Sequence, residues 1–115
     1  LEEVPVMVVA CAHLEDTHPT DTELGRLSVV GGASIYPAVQ NFILGCREAE
    51  LGAALTTLLC LFEPQVKELL EMPDDAATVA HIAVGHRTTA FPTKLDRMGL
   101  DEIVFSETWG SVTYN

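Results

Sequence analysis

Basic residues are what this sequence has least of. Six Lys and Arg stand against seventeen Asp and Glu in 115 residues, a formal net charge of −11. A field of that sign repels a phosphate backbone at long range, which argues against nucleic acid as a partner. Long apolar runs are missing as well. None approaches the roughly 18 residues that a membrane helix requires, so at 48% hydrophobic content the chain reads as soluble. It shows no initiator Met, charged n-region or cleavage site, so nothing addresses it for export and the cytoplasm is expected. Cysteine is scarce: Cys11, Cys46 and Cys60 are odd in number, lack C-x-x-C spacing and sit in apolar contexts. That pattern suits reduced core thiols better than a disulfide frame. Phosphate-loop glycine patterns are also lacking, because "SVVGGAS" has neither the G-x-x-x-x-G-K-[ST] nor the G-x-G-x-x-G form and reads as a turn. No nucleophile stands beside a recognisable base, so any chemistry must come from something the chain binds.

What is there fits a single domain near the low end of domain size. "VPVMVVACA", residues 4 to 12, is an unbroken β-branched and apolar run, which predicts a central strand covered on both faces. Residues 13 to 33 mix polar groups with Pro19, Gly25, Gly31 and Gly32, a loop with a helical turn near Thr20 to Leu24. From Ser34 the pattern changes. Ile35, Val39, Phe42, Cys46 and Ala49 line one helical face, with Ser34 as cap, Pro37 in the first turn and Gly52 as the left-handed stop. "AALTTLLCL" should be extended. A shorter helix is expected from Pro64, burying Val66, Leu69 and Leu70 before Pro73, then a strand from Ala77 to Val84, with "DEIVF" (101 to 105) as a last short strand. This order predicts an α+β fold.

Few clusters look chemical. "CAHLEDTH" gathers Cys11, His13, Glu15, Asp16 and His18, but its spacings match no established zinc pattern. Asp74 and Asp75 read as a solvated turn beside Pro73, and His81 as a hydrogen-bonded core histidine. Arg87, Lys94 and Arg97 fall within eleven residues, half of the chain's cations. They are where an anion would be held, or else solvated loop charges balancing Asp96, Asp101 and Glu102.

The stretch "SIYPAVQNFILGCREAELGAALTTLL" resembles the long helix and following segment of the nitroreductase superfamily, whose members read P-A-x-Q-N-x-x-L-A-A-x-x-x-G-L-G with a threonine-rich continuation. Pro37, Ala38, Gln40, Asn41, Leu44 and Gly52 carry the match. "VKELLEMPDDAATVAHIAVGHRT" is similar to the family's short helix, Pro-Asp turn and sheet strand, and "RMGLDEIVF" to its closing R-K-P-L-(D/E)-E-(I/V) segment. Three blocks in order span residues 33 to 105.

The resemblance implies a nitroreductase-like mixed sheet flanked by helices, of which residues 1 to 115 would form the C-terminal half. It implies a homodimer that binds flavin mononucleotide (FMN), with residues 106 to 115 reaching a partner subunit through Trp109 and Tyr114. The implied activity passes hydride from NADH or NADPH through flavin to a small aromatic or quinone-like acceptor. The alternative is a non-catalytic fragment, or a divergent domain that binds a small ligand or dimerises. The family's flavin-contacting threonine run falls on Leu55, Thr56 and Thr57, where Leu55 departs from threonine. Its phosphate-binding Arg falls on Arg97, with Met98 and Gly99 in place of Lys and Pro and Lys94 as a compensating cation. No residue is expected to act as a catalytic acid, base or nucleophile. The bare "GAA" of residues 52 to 54 then has a reason, since a planar ring can lie close only to a backbone with small side chains.

Overall fold

The computed structural model describes residues 3–112. Its elements, in chain order, are β1 (Val6–His13), α1 (Ile35–Glu48), β2 (Leu51–Thr56), α2 (Glu63–Leu69), β3 (Ala76–His86) and α3 (Leu100–Ile103), with 3-10 turns at Leu14–Asp16, Thr22–Leu24 and Leu58–Phe62. The expected α+β class is what forms. The strand order is β1-β3-β2, with both ladders antiparallel, so no parallel pairing gives the sheet a mixed character among the described residues.

The central strand is β3, and β1 lies at one edge, which corrects the placement expected of "VPVMVVACA". A continuous apolar run marks burial on both faces without saying which strand sits in the middle, and β3 is the longest strand at 11 residues. Ala80, Ile82 and Val84 form the core with Val39 and Cys46 of α1. The β1–β3 register slips between Ala10 and Cys11, which pair with Ala80 and Thr78 and leave Val79 as a bulge. Tyr36, in the first turn of α1, donates its hydroxyl to the Val79 carbonyl at 3.0 Å. The bulge also interrupts the strand's alternation. Thr78 turns to Glu63 and Cys60, while Ala80 and Ile82 stay with the core.

Several expected boundaries move for local reasons. Ser34 makes no capping side-chain bond and already has helical angles. The left-handed residue after α1 is Glu50, at φ 61°, not Gly52, which lies inside β2. "AALTTLLCL" is extended only to Thr56; Leu58 onward forms a 3-10 turn. After α2, Glu71 at φ 51° reverses the chain before Pro73 is reached. Leu69 of α2 is 80% exposed and Leu70 is exposed too, against their expected burial. The "DEIVF" strand is instead the short helix α3, where the Glu102 carboxylate accepts from the Gly99 N–H at 3.0 Å. Cys46 is buried and Cys60 partly so, but Cys11 is exposed on the edge strand rather than in the core. No helix is long and apolar enough to cross a membrane among the described residues.

Candidate functional site

The β2–β3 ladder builds a bare surface. Its register pairs Gly52 with Gly85, Ala54 with Ala83 and Thr56 with His81. Directly paired residues share a face. Ala53 and Val84 pack on α1, so the Gly52, Ala54 and Thr56 pairs lie on the opposite side. One end of that side opens into a cavity of about 430 Å³, with Ala54 and Ala83 as floor and with Pro5, Arg87 and Phe91 among its walls. That size lies within the range of small-molecule clefts.

The two glycines serve close packing at the cavity's edge. A Cβ at Gly52 would stand 3.1 Å from Cγ of Arg87, and one at Gly85 would stand 2.9 Å from Cγ of Pro5. The Arg87 stem and the Pro5 ring already occupy the space above them. The bare stretch therefore has one reason in the chain itself, the approach of Arg87, in addition to the planar ligand that the resemblance implies.

The sequence-derived site residues scatter around this cavity. Leu55 is exposed on β2, and the Thr56 hydroxyl oxygen accepts from the Leu58 N–H at 3.1 Å. Thr57 begins the 3-10 turn. Lys94 and Arg97 lie on the exposed segment between β3 and α3. Among the described residues the Arg97 guanidinium reaches only its neighbour's carbonyl, Asp96 O, at 3.4 Å. None of the five lines the cavity, whereas Arg87 does. Arg87 stacks on the Phe91 ring from 4.2 Å, and Arg47 stacks on the same ring from 3.6 Å. Neither contact is visible in the spacing of the sequence, because Arg47 and Phe91 are brought together only by the sheet.

Farther along the same face, His81 is 1% exposed, yet neither ring nitrogen has a hydrogen-bond partner among the described residues. The expected core burial holds, and the expected hydrogen bond does not. Nearby, Glu63 accepts from the Thr78 N–H at 2.5 Å and from its hydroxyl at 2.9 Å. These bonds, the backbone one first, hold the Glu63 carboxyl below its usual range. In the 13–33 loop, Asp21 accepts from Ser28 Oγ at 2.6 Å, Arg26 Nη1 at 2.7 Å and the Val29 N–H at 2.9 Å. The Ser28 bond leads in lowering that carboxyl to about 2. His13 pairs with Asp75 at 3.1 Å, so Asp75 is not a purely solvated turn residue. No group of three or more His, Cys, Asp or Glu capable of holding a metal occurs among the described residues.

A three-stranded antiparallel sheet under one long helix, with a bare ladder opening into a cleft, defines an α+β architecture. A profile of the nitroreductase family matches residues 1–86, more than half of the chain, and the chain belongs to that family. Solved structures agree on the fold. A mutant form of the FMN- and NADPH-dependent nitroreductase NfnB from Sphigopyxis sp. strain HMH is 19% identical, with a TM-score of 0.71, over 92% of this chain and 46% of its own. NfrA2 of B. megaterium is 19% identical, with a TM-score of 0.72, over 94% and 47%. A nitroreductase family protein of Clostridium difficile 630 is 16% identical, with a TM-score of 0.69, over 92% and 61%. The chain thus spans about half the length of NfnB and NfrA2. No curated protein sequence matches it.

Proposed function

We propose that this chain contributes the β2–β3 surface and the 87–99 segment to the site of a cytoplasmic, homodimeric FMN-dependent oxidoreductase. The carrying observation is the nitroreductase family match, which runs through β2 and all of β3. Lys94 and Arg97 lie beyond the matched residues, and the assignment of Arg97 rests on the resemblance of "RMGLDEIVF" to the family's closing segment, with Lys94 as a compensating cation. The donor set suits the cofactor. Ala54 and Ala83 form a flat apolar floor, Thr56 keeps a hydroxyl proton to donate, and the two cations have no carboxylate within ion-pair distance among the described residues.

In this reading Leu55, through its backbone, and Thr56 and Thr57 lie along the flavin ring, and Arg97 clasps the phosphate with its two-pronged guanidinium while Lys94 adds charge. FMN held there would supply two-electron chemistry between NADH or NADPH and a small aromatic or quinone-like acceptor. The chain's own residues bind, orient and exclude water, and none acts as acid or base. Exposed Leu58, Leu61, Phe62 and Leu69 give the surface that self-association would cover.

A second reading is a non-catalytic fragment, or a divergent domain of the same fold that binds a small ligand or dimerises without turnover. Flavin absorption in the purified protein separates the two. FMN titration then tests the site. Arg97→Ala should weaken binding roughly ten- to a hundredfold, the worth of a charge-assisted contact of about 1.5–3 kcal/mol, and Arg97→Lys should recover part of it. Wild-type affinity in Arg97→Ala would remove Arg97 from the site.

A further inference from the structure

Phe91 is held between two guanidiniums. Cζ of Arg47, from the last turn of α1, stands 3.6 Å from the ring centre, and Cζ of Arg87, just past β3, stands 4.2 Å from it. Two guanidiniums that close to one centre cannot share a face without overlapping, so they lie on opposite faces with the ring between them. Arg87 is steadied in turn by Gly52, whose missing Cβ leaves room for its stem.

The segment that carries Phe91 has little else to hold it. Among the described residues no hydrogen bond ties residues 88–98 to a strand or helix; the bond from Arg97 stays within the segment. Leu95 and Met98 are exposed, whereas Phe91 is half-buried. Among the described residues, then, the stack is the polar attachment of the segment that presents Lys94 and Arg97.

We propose that Arg47, Phe91 and Arg87 form a latch that fixes the 87–99 segment against the end of α1 and so presents Lys94 and Arg97 to the phosphate of a flavin nucleotide. The three are positioning residues. Arg87 acts through Phe91, and its charge is committed to the ring. The positioning role rests on the flavin reading above; the latch itself does not.

Trypsin reads the latch without any ligand, because it cleaves after Lys94 and Arg97, and cleavage of a native chain follows how often the segment opens. Phe91→Ala should speed cleavage at those two bonds about five- to thirtyfold. That equals about 1–2 kcal/mol at 1.4 kcal/mol per decade, in keeping with two partly exposed cation–π contacts. Phe91→Trp should cleave like wild type. Phe91→Leu, which keeps apolar bulk without a ring face, should cleave like Phe91→Ala. Arg47→Ala should speed cleavage while leaving both cut sites in place, and thermal melts establish that each variant is folded. FMN affinity should fall several-fold in Phe91→Ala, and FMN should slow cleavage of the wild type, since the coupling is reciprocal. Unchanged cleavage in Phe91→Ala overturns the latch, and wild-type cleavage in Phe91→Leu overturns the stack as its cause. Faster cleavage with unchanged FMN affinity overturns the positioning role. If neither this chain nor a version extended to the length of its relatives takes up FMN, the flavin reading and the positioning role fall together, while faster cleavage in Phe91→Ala still establishes the latch.

Discussion

Replacing His81 by Leu should leave the fold about as stable as before or make it more stable. The imidazole lies on the central strand, 1% exposed, with both nitrogens unpartnered among the described residues. A neutral imidazole has one donor and one acceptor, and burying such groups unpaired costs about 1–3 kcal/mol. Leucine removes both polar atoms at similar volume, and a volume-conserving exchange costs less than about 1.5 kcal/mol. The balance runs from about 0.5 kcal/mol lost to about 3 kcal/mol gained. His81→Ala sheds the same polar atoms but forfeits the packing, worth about 2–5 kcal/mol at buried sites, so it should fall below His81→Leu by about that amount. Urea unfolding with a common m-value measures both differences. If His81→Leu loses more than about 1 kcal/mol and unfolds alongside His81→Ala, the imidazole is hydrogen-bonded in the folded protein and the reasoning is wrong.

Asp21 ties the 21–29 loop together, and its folded value of about 2 lies below the ordinary 3.8. Its contribution is therefore complete above the unfolded value and is lost as pH falls through the folded one, a window from about pH 4 to pH 2. Acid titration by carboxyl-carbon NMR should place its midpoint near 2, and Asp21→Asn should flatten the stability change across that window; an ordinary midpoint near 4 would count against the Ser28 and Val29 bonds. At Gly52, valine should change stability by no more than about 1 kcal/mol, because the flexible Arg87 stem can yield and glycine is itself unfavourable within a strand. FMN affinity should nevertheless drop at least about tenfold as the side chain enters the cavity and disturbs the stack, and retained affinity would put the ligand elsewhere. Deleting residues 106–115, where Trp109 is 93% exposed and Tyr114 lies outside the described residues, should weaken self-association in sedimentation; an unchanged dimer would free the tail of that role.

Periodicity carried α1 because its inward residues, Val39 and Cys46 among them, repeat over a length that only a helix satisfies. Runs of apolar residues carried the strands as elements but not their order. Central and edge positions differ in which backbone groups find partners, and side chains report that only weakly. Turn chemistry points elsewhere where Glu50 and Glu71 adopt left-handed angles that glycine usually takes: in the sequence Gly52 reads as a helix end, and in the structure it serves a strand. "DEIVF" is too short for period to decide, and the bond from Gly99 N–H to Glu102 tips it to a helical turn. At the site, the threonine segment and the cations were legible as residues. The Arg47–Phe91–Arg87 stack was not, because Arg47 lies far from Phe91 in the chain and meets it only once β3 is docked beside α1.

The chain's six cations can be followed one by one. Arg26 is bound to Asp21. Lys67 donates to the carbonyls of Asp74 and Ala76 at 2.9 and 2.8 Å, closing the turn into β3. Arg47 and Arg87 are committed to Phe91. That leaves Lys94 and Arg97 without a structural partner among the described residues beyond the weak reach of Arg97 to Asp96 O. In a protein of net charge −11, a phosphate approaching from solvent meets repulsion everywhere except where local cations outweigh it. Among the described residues four cations have such partners and these two do not, and the two ride on a segment fastened to the fold by Arg47 and Arg87 rather than by backbone hydrogen bonds. On the proposed reading, anion binding and attachment of the segment would therefore draw on separate charges. A phosphate would be gained or lost at Lys94 and Arg97 without breaking the stack, and its affinity would follow how firmly Phe91 is held by its two arginines.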